Sequence, residues 1–172
     1  MIFFDVETTG LIENEYLGLD KQPRIIEIGA LKTDDDGNEI ARYSTLVHPE
    51  KKLPEIITKI TGIKDEDLIG APLFSDCYKD LAEFFVGEKK MLAHNARFDL
   101  MCLVFELMRM DKLYNFPFCI ECIDTRTKYG GKLEKWAKLV KNDAFVQTHR
   151  AIDDVITLRD CWFSKYDNSY RV

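Results

Sequence analysis

Apolar residues run from Ile2 to Phe4, are broken by Asp5, Val6 and Glu7, and stop at Thr8, Thr9 and Gly10. A short apolar run bounded by turn residues predicts a buried strand over 2–7. The β-branched segment RIIEIGALKT predicts a second strand over 24–33, and EIARYSTLV a third over 39–47. Between these two, DDDGN carries the Asp-Gly signal of a tight turn, and its three acids read as a solvated hairpin tip. The period then changes. One helical stretch starts at Pro54 and ends near Gly62, and Tyr78, Leu81, Ala82 and Phe85 set helical spacing over 76–86. Lys90–Ala93 reads as a short buried strand. Asn95 is placed to cap a helix carrying Leu100, Leu103, Val104 and Leu107. A fifth strand is predicted over 118–123, an amphipathic helix on Leu133, Trp136, Ala137 and Val140, and a last helix over 150–164. A strand meander followed by strands alternating with helices predicts an α/β fold, a mixed sheet covered by helices.

The first strand poses a chemical problem. Alternation puts Asp5 and Glu7 on one face, roughly 6.6 Å apart along the strand. Two anions at the edge of a core repel each other, and they are relieved by protonation or by a divalent cation. Oxygen-only ligands suit Mg²⁺ or Mn²⁺. A plain exposed strand end is the other reading of the decapeptide taken alone.

Bulk properties narrow the class. The 172 residues suggest one domain over 1–172, with enough chain for a sizeable core. No stretch is long and apolar enough to span a membrane, and no signal peptide is visible, so a cytoplasmic protein with no membrane partner is expected. The five cysteines are odd in number and scattered, as expected of reduced thiols. Cys119 and Cys122 form a C-x-x-C inside an expected strand, where their side chains point to opposite faces, so a structural role is favoured over zinc or redox chemistry. The net charge of −6 argues against coating nucleic acid by charge alone.

Two further segments place acids where α/β folds bring chemistry to a sheet edge. LAHNARFDL puts Asp99 in the first turn of a helix that follows a buried strand. THRAIDDV puts His149 just ahead of the last helix and Asp153 and Asp154 inside it. The stripe Ala151, Val155, Leu158 and Trp162 is expected to be buried. At about 100° per residue Asp154 lies on its margin, and Asp153 faces water. His48 and His94 read as structural or hydrogen-bonding residues.

FDVETTG, AHNARFD and HRAIDD, in this order and spacing, resemble the three exonuclease motifs of the DnaQ-like superfamily, in its DEDDh subgroup. RIIEIGAL and ITGIKDEDLIGAPLF match the family's second strand and the segment after it, so the resemblance covers nearly the whole chain. It implies a ribonuclease H-like fold, with a mixed five-stranded sheet of order 3-2-1-4-5 and strand two antiparallel. It also implies two divalent cations, Mg²⁺ or Mn²⁺, held by Asp5, Glu7, Asp99 and Asp154, with Asp5 bridging both. His149 is implied as the general base. Thr8, Thr9, Gly10, Leu11, Asn95 and Phe98 are the implied substrate-binding set. Two departures stand out: Thr61 replaces the histidine often found before the Gly-Ile, and the link over 12–24 is longer than usual.

The activity implied is hydrolysis at the 3′ end of single-stranded nucleic acid, releasing 5′-mononucleotides, with DNA favoured over RNA. An RNA-trimming exoribonuclease, or a proofreading subunit acting on a polymerase, are the alternatives. The partners implied are 3′ ends and a polymerase or other replication or repair protein. Docking is expected to use the domain surface, since the chain ends at DNSYRV shortly after the last helix. The basic tract from Arg126 to Lys141 reads as a solvated face or a phosphate track.

Overall fold

β1 (Ile2–Thr8) is the central strand of a five-stranded sheet, and its apolar side chains divide between two faces. Ile2, Phe4 and Val6 enter one core cluster and Phe3 enters another. Complete burial of Phe3 and Phe4 contributes about 1.5–3 kcal/mol each. β2 (Ile25–Thr33) runs antiparallel to β1, and β3 (Glu39–Leu46) antiparallel to β2. β4 (Lys90–Ala93) and β5 (Glu121–Asp124) add parallel strands on the other side. The order is β3-β2-β1-β4-β5, as the resemblance implies, with strand two antiparallel. The structure is a computed structural model that describes residues 1–164; the segment DNSYRV lies outside the described residues.

Helices cover both faces. α1 (Glu55–Thr61) begins after Pro54 and closes on Gly62, whose φ of 72° takes the left-handed conformation glycine tolerates. α2 (Phe74–Phe85) and α3 (Ala96–Arg109) pack on the Ile2/Phe4/Val6 face. α4 (Thr125–Tyr129) is short. α5 (Leu133–Val140) and α6 (Ala151–Phe163) pack on the Phe3 face. No helix of the described residues is long and apolar enough to cross a membrane.

The differences from the expected boundaries have local causes. α2 starts at Phe74 because the Leu73 N–H donates to the Asp76 carboxylate at 3.0 Å, closing its first turn. β5 starts at Glu121 rather than at residue 118. The chain first turns at Pro117, where the Phe118 N–H donates to the Phe116 carbonyl, and buries Phe116 against Phe85 and Phe118. α4 escaped the periodicity because it has only five residues; Asp124 starts it by accepting from the N–H groups of Arg126 and Thr127. Asn95 stands at the N-terminus of α3, but its side chain makes no capping bond. Its contribution is a left-handed turn at φ 83°, a conformation asparagine tolerates better than most residues. Trp162 is only partly buried, and Cys161 takes its expected place in the core. All five cysteines are free thiols.

One feature of the sheet prepares the site. β1 pairs with β2 along its whole length but with β4 only at Ile2 and Phe3. From Phe4 onward the β4-side edge of β1 is open, at the point where the strand order reverses. Ligands of open α/β sheets bind at such crevices.

Candidate active site

Asp5 and Glu7 share the face of β1 that carries Phe3, and that face looks toward α6. Their register partners on β2 are Gly29 and Glu27. Gly29 is what lets α6 come close. A Cβ there would lie 2.6 Å from the Ala151 carbonyl oxygen and from the Ile152 nitrogen. A glycine inside a strand commonly marks such close backbone approach. The first turn of α6 therefore rests on the sheet beside Asp5.

Two acids arrive from helix N-termini. Asp99, 2% exposed, lies in the first turn of α3 and accepts the Val6 N–H at 3.1 Å, satisfying a donor on the open edge of β1. Asp154, 4% exposed, lies in the first turn of α6 and accepts from the Gln147 side-chain amide at 2.5 Å. Asp153 turns outward as expected, is exposed, and accepts from the Thr148 hydroxyl at 3.0 Å. His149 precedes α6 in a left-handed conformation, φ 53°. Glu7, His149 and Asp154 each place one ligand-capable atom so that all three lie within 4.8 Å of one another. Asp5 and Asp99 stand outside this triplet.

The acids feel each other strongly. Burial first, then the charges of Asp99, Asp154 and Glu7, hold the Asp5 carboxyl well above the usual carboxylate range. Burial likewise raises Asp99, against the opposing pull of the Val6 N–H. Glu7 is pushed up to about 8 by burial, then by Asp154, Glu27 and Asp99. Asp154 is pushed up to about 6 by burial, against the Gln147 hydrogen bond. Four clustered carboxylates with so little compensating positive charge have the chemistry of a site for hard divalent cations, which take oxygen ligands.

The segment after β1 is firmly held at its base. Thr9 and Arg24 bond both ways: the Thr9 N–H donates to the Arg24 carbonyl at 2.9 Å, and the Arg24 N–H to the Thr9 hydroxyl at 3.0 Å. The Thr8 hydroxyl donates to the Gly10 carbonyl at 2.7 Å. Both threonine hydroxyls thus serve the turn itself, while Leu11 projects with 80% exposure. Beside it, Ile12, Asn14 and Tyr16 face Asn95, Arg97 and Phe98 across an open cavity of about 450 Å³. The long 12–24 link is tied down by Arg109, which donates to the Leu19 carbonyl at 2.7 Å, and by an Arg24–Glu106 ion pair at 2.9 Å.

The remaining singled-out residues are structural. His94 bonds to the Thr125 hydroxyl and the Gly131 carbonyl, and His48 accepts the Glu50 N–H. Thr61 takes the end of α1, donating to the Ile57 carbonyl and accepting the Ile63 N–H. In the basic tract, Lys138 pairs with Glu134 and Lys141 with Asp160, and Lys128 lies over the Trp162 ring. That leaves less of the tract for phosphates than the sequence suggested.

Sequence reasoning passed over Glu27, Gly29, Gln147 and Arg150. Glu27 and Gly29 had a readable signal. An acid and a glycine interrupt an otherwise apolar strand, the same anomaly that made Asp5 and Glu7 conspicuous.

Comparison with known proteins places this geometry. A family model described as Exonuclease (RNase T) matches residues 2–159. The DNA polymerase III subunit epsilon of Treponema pallidum is 39% identical over 122 residues, covering 71% of this chain and 51% of that protein. The PolC-type DNA polymerase III of Clostridium perfringens is 33% identical over 156 residues, covering 89% of this chain and 10% of that protein. The chain thus spans about half the length of the first relative and a tenth of the second. Among solved structures, the nuclease domain of 3′hExo, described as a DEDDh family member bound to rAMP, superposes with a TM-score of 0.75 at 18% identity, over 94% of this chain and 88% of that one. An Escherichia coli ExoI–ssDNA complex gives 0.74 at 20% identity, over 95% of this chain and 39% of that one. The latter two likenesses are of fold. With the family match running from β1 into α6, the chain belongs to the RNase T exonuclease family.

Proposed function

We propose that this chain hydrolyses the terminal phosphodiester at the 3′ end of single-stranded DNA, releasing 5′-mononucleotides. The observation that carries the reading is the meeting of Glu7, His149 and Asp154 within 4.8 Å, beside the buried carboxyls of Asp5 and Asp99. Asp5, Glu7, Asp99 and Asp154 would hold two divalent cations, Mg²⁺ or Mn²⁺. Bound there, such ions supply a lowered pKa for the attacking water and charge neutralisation at the leaving 3′-oxygen.

The chain's own residues do the rest. His149 in its neutral form takes a proton as the water oxygen bonds to phosphorus, and the bond from phosphorus to the 3′-oxygen breaks. The leaving oxygen is protonated from solvent. Leu11, standing free of a clamped turn, offers an apolar contact to the terminal nucleotide, and Thr8, Thr9 and Gly10 offer backbone groups. Asn95 and Phe98, on the wall of the neighbouring cavity, complete the substrate contacts. The epsilon and PolC-type relatives support DNA as the substrate and a DNA polymerase as a partner, with the exonuclease acting in proofreading.

Digestion of 5′-labelled single-stranded DNA, with a matched RNA, tests the reading. With Mg²⁺ or Mn²⁺ the DNA should give a ladder shortening one nucleotide at a time, slowed by a 3′-phosphate and abolished by EDTA. Release of the 5′ label as the first product, or cutting of a closed circle, would refute it. Faster loss of the RNA would transfer the assignment to an exoribonuclease.

A further inference from the structure

We infer that Glu27 and Arg150 form a clamp that positions His149 for proton abstraction; the inference rests on the function proposed above. Glu27 lies on β2 opposite Glu7, is 2% exposed, and has no place in the proposed chemistry. The Arg150 Nε–H donates to Oε2 and Oε1 of the Glu27 carboxylate, at 3.0 and 3.1 Å, and Nη2 donates to Oε1 at 2.6 Å. The same carboxylate accepts the Ala151 N–H at 2.9 Å.

The Ala151 N–H is one of the donors that the start of a helix leaves unsatisfied. Arg150 stands at the N-cap of α6 and supplies no side-chain cap of its own. Glu27 therefore caps α6 from a neighbouring strand, and grips residue 150 by its side chain and residue 151 by its backbone. His149 is the next residue back, and it holds a φ of 53° that a residue with a Cβ adopts at a cost. Strain of this kind persists when the surroundings over-determine it. Here the surroundings are identifiable. The Gly29 contact seats the helix on the sheet, the Asp154 N–H donates to the Arg150 carbonyl at 2.9 Å, and Glu27 fixes the two residues after the histidine.

The Arg150 guanidinium has a second effect. A buried Glu27 carboxylate without a partner would add one more anion beside Glu7. Pairing with Arg150 offsets that charge, and the bidentate fork does so in a fixed geometry that lysine lacks. A merely structural ion pair would stabilise the fold without regard to where His149 points. A positioning clamp links the pair to turnover through that one imidazole, and displacement of a catalytic group by about 1 Å can cost on the order of 10²-fold.

The test is a mutant cycle on the complete chain with saturating Mn²⁺. Glu27→Gln is close in shape and still accepts the Ala151 N–H; Arg150→Lys keeps the charge and loses the fork. Each should lower kcat by about 10- to 100-fold, the range for partners that orient catalytic ligands, with KM little changed. Mn²⁺ affinity, read by electron paramagnetic resonance without substrate, should be retained, and the His149 ring resonances should shift or broaden. In a His149→Ala background neither change should lower the residual rate further, because residues that act through one group are not additive. A fall in melting temperature with kcat intact would make the pair a structural brace and overturn the clamp. Loss of Mn²⁺ affinity in step with kcat would overturn it by moving the effect to the carboxylates. If His149→Ala keeps full turnover, the catalytic reading itself falls, and the clamp with it.

Discussion

Asp153 and Asp154 are adjacent in the chain and live in different environments: Asp153 is exposed beside the Thr148 hydroxyl, while Asp154 is buried, bonded to Gln147, and within 4.8 Å of Glu7 and His149 in donor atoms. Asp154→Asn should weaken Mn²⁺ binding and lower turnover together, on the order of 10²-fold or more, because bound metal supplies several kcal/mol of charge stabilisation. Asp153→Asn should leave stability within about 0.5 kcal/mol and turnover nearly unchanged. Isothermal titration with Mn²⁺ and a single-turnover assay separate the two, and the reverse pattern would overturn the assignment.

His149→Ala should lower turnover by roughly 10²–10⁴-fold, the range for a general base. Mn²⁺ affinity should persist, since the four carboxylates remain. A single-turnover assay with saturating metal measures this loss of turnover. An alanine variant with an unchanged rate would place the base elsewhere.

The raised carboxyl pKa values predict an unusual pH dependence for the metal-free protein. The folded chain keeps protons that the unfolded chain has already released, so stability falls as pH rises. The contribution is complete below the ordinary carboxylate range. It is lost as pH climbs through about 6 at Asp154 and about 8 at Glu7. In EDTA the melting temperature should therefore drop from about pH 5 to about pH 8. Excess Mg²⁺ or Mn²⁺ should recover it at the higher pH, and Asp5→Asn should raise it there without metal. A metal-free protein that gains stability over this interval would show that the acids are not held protonated.

Gly29→Ala should damage the site without touching any of its acids. The added methyl meets the backbone of Ala151 and Ile152, which cannot move independently of α6. Overpacking of this kind costs about 1–3 kcal/mol, and displacement of the helix should carry Asp154 and His149 away from Glu7. Chemical denaturation and turnover should both fall. An alanine variant with full activity would mean that α6 can settle without this contact.

The meander, the alternation and the four carboxylates are legible in the chain because each breaks a local pattern. Asp5 and Glu7 end an apolar run, and Asp154 lies at the margin of a stripe whose angle can be counted. The meeting of β2 with α6 is not legible in that way. Glu27 and Arg150 are 123 residues apart, and nothing in either segment alone names the other as its partner. The left-handed backbone of His149 and the absence of a capping bond from Asn95 are equally hidden, because both are imposed by tertiary contacts rather than by propensity. β5 slipped by three residues for a related reason. Phe116 reached the core through a turn at Pro117, which a run of apolar letters does not reveal.

The Val6 N–H points away from β2 and ends on the Asp99 carboxylate. That single bond makes a backbone amide the electrical neighbour of a buried acid. An amide proton donated to an ionised carboxylate is held more tightly than one donated to a neutral carboxyl. Its resonance therefore moves with the charge on Asp99, and its exchange with solvent slows as that charge develops. One assigned amide, read without substrate and without a mutation, is a gauge of how the acid cluster fills with protons or with cations.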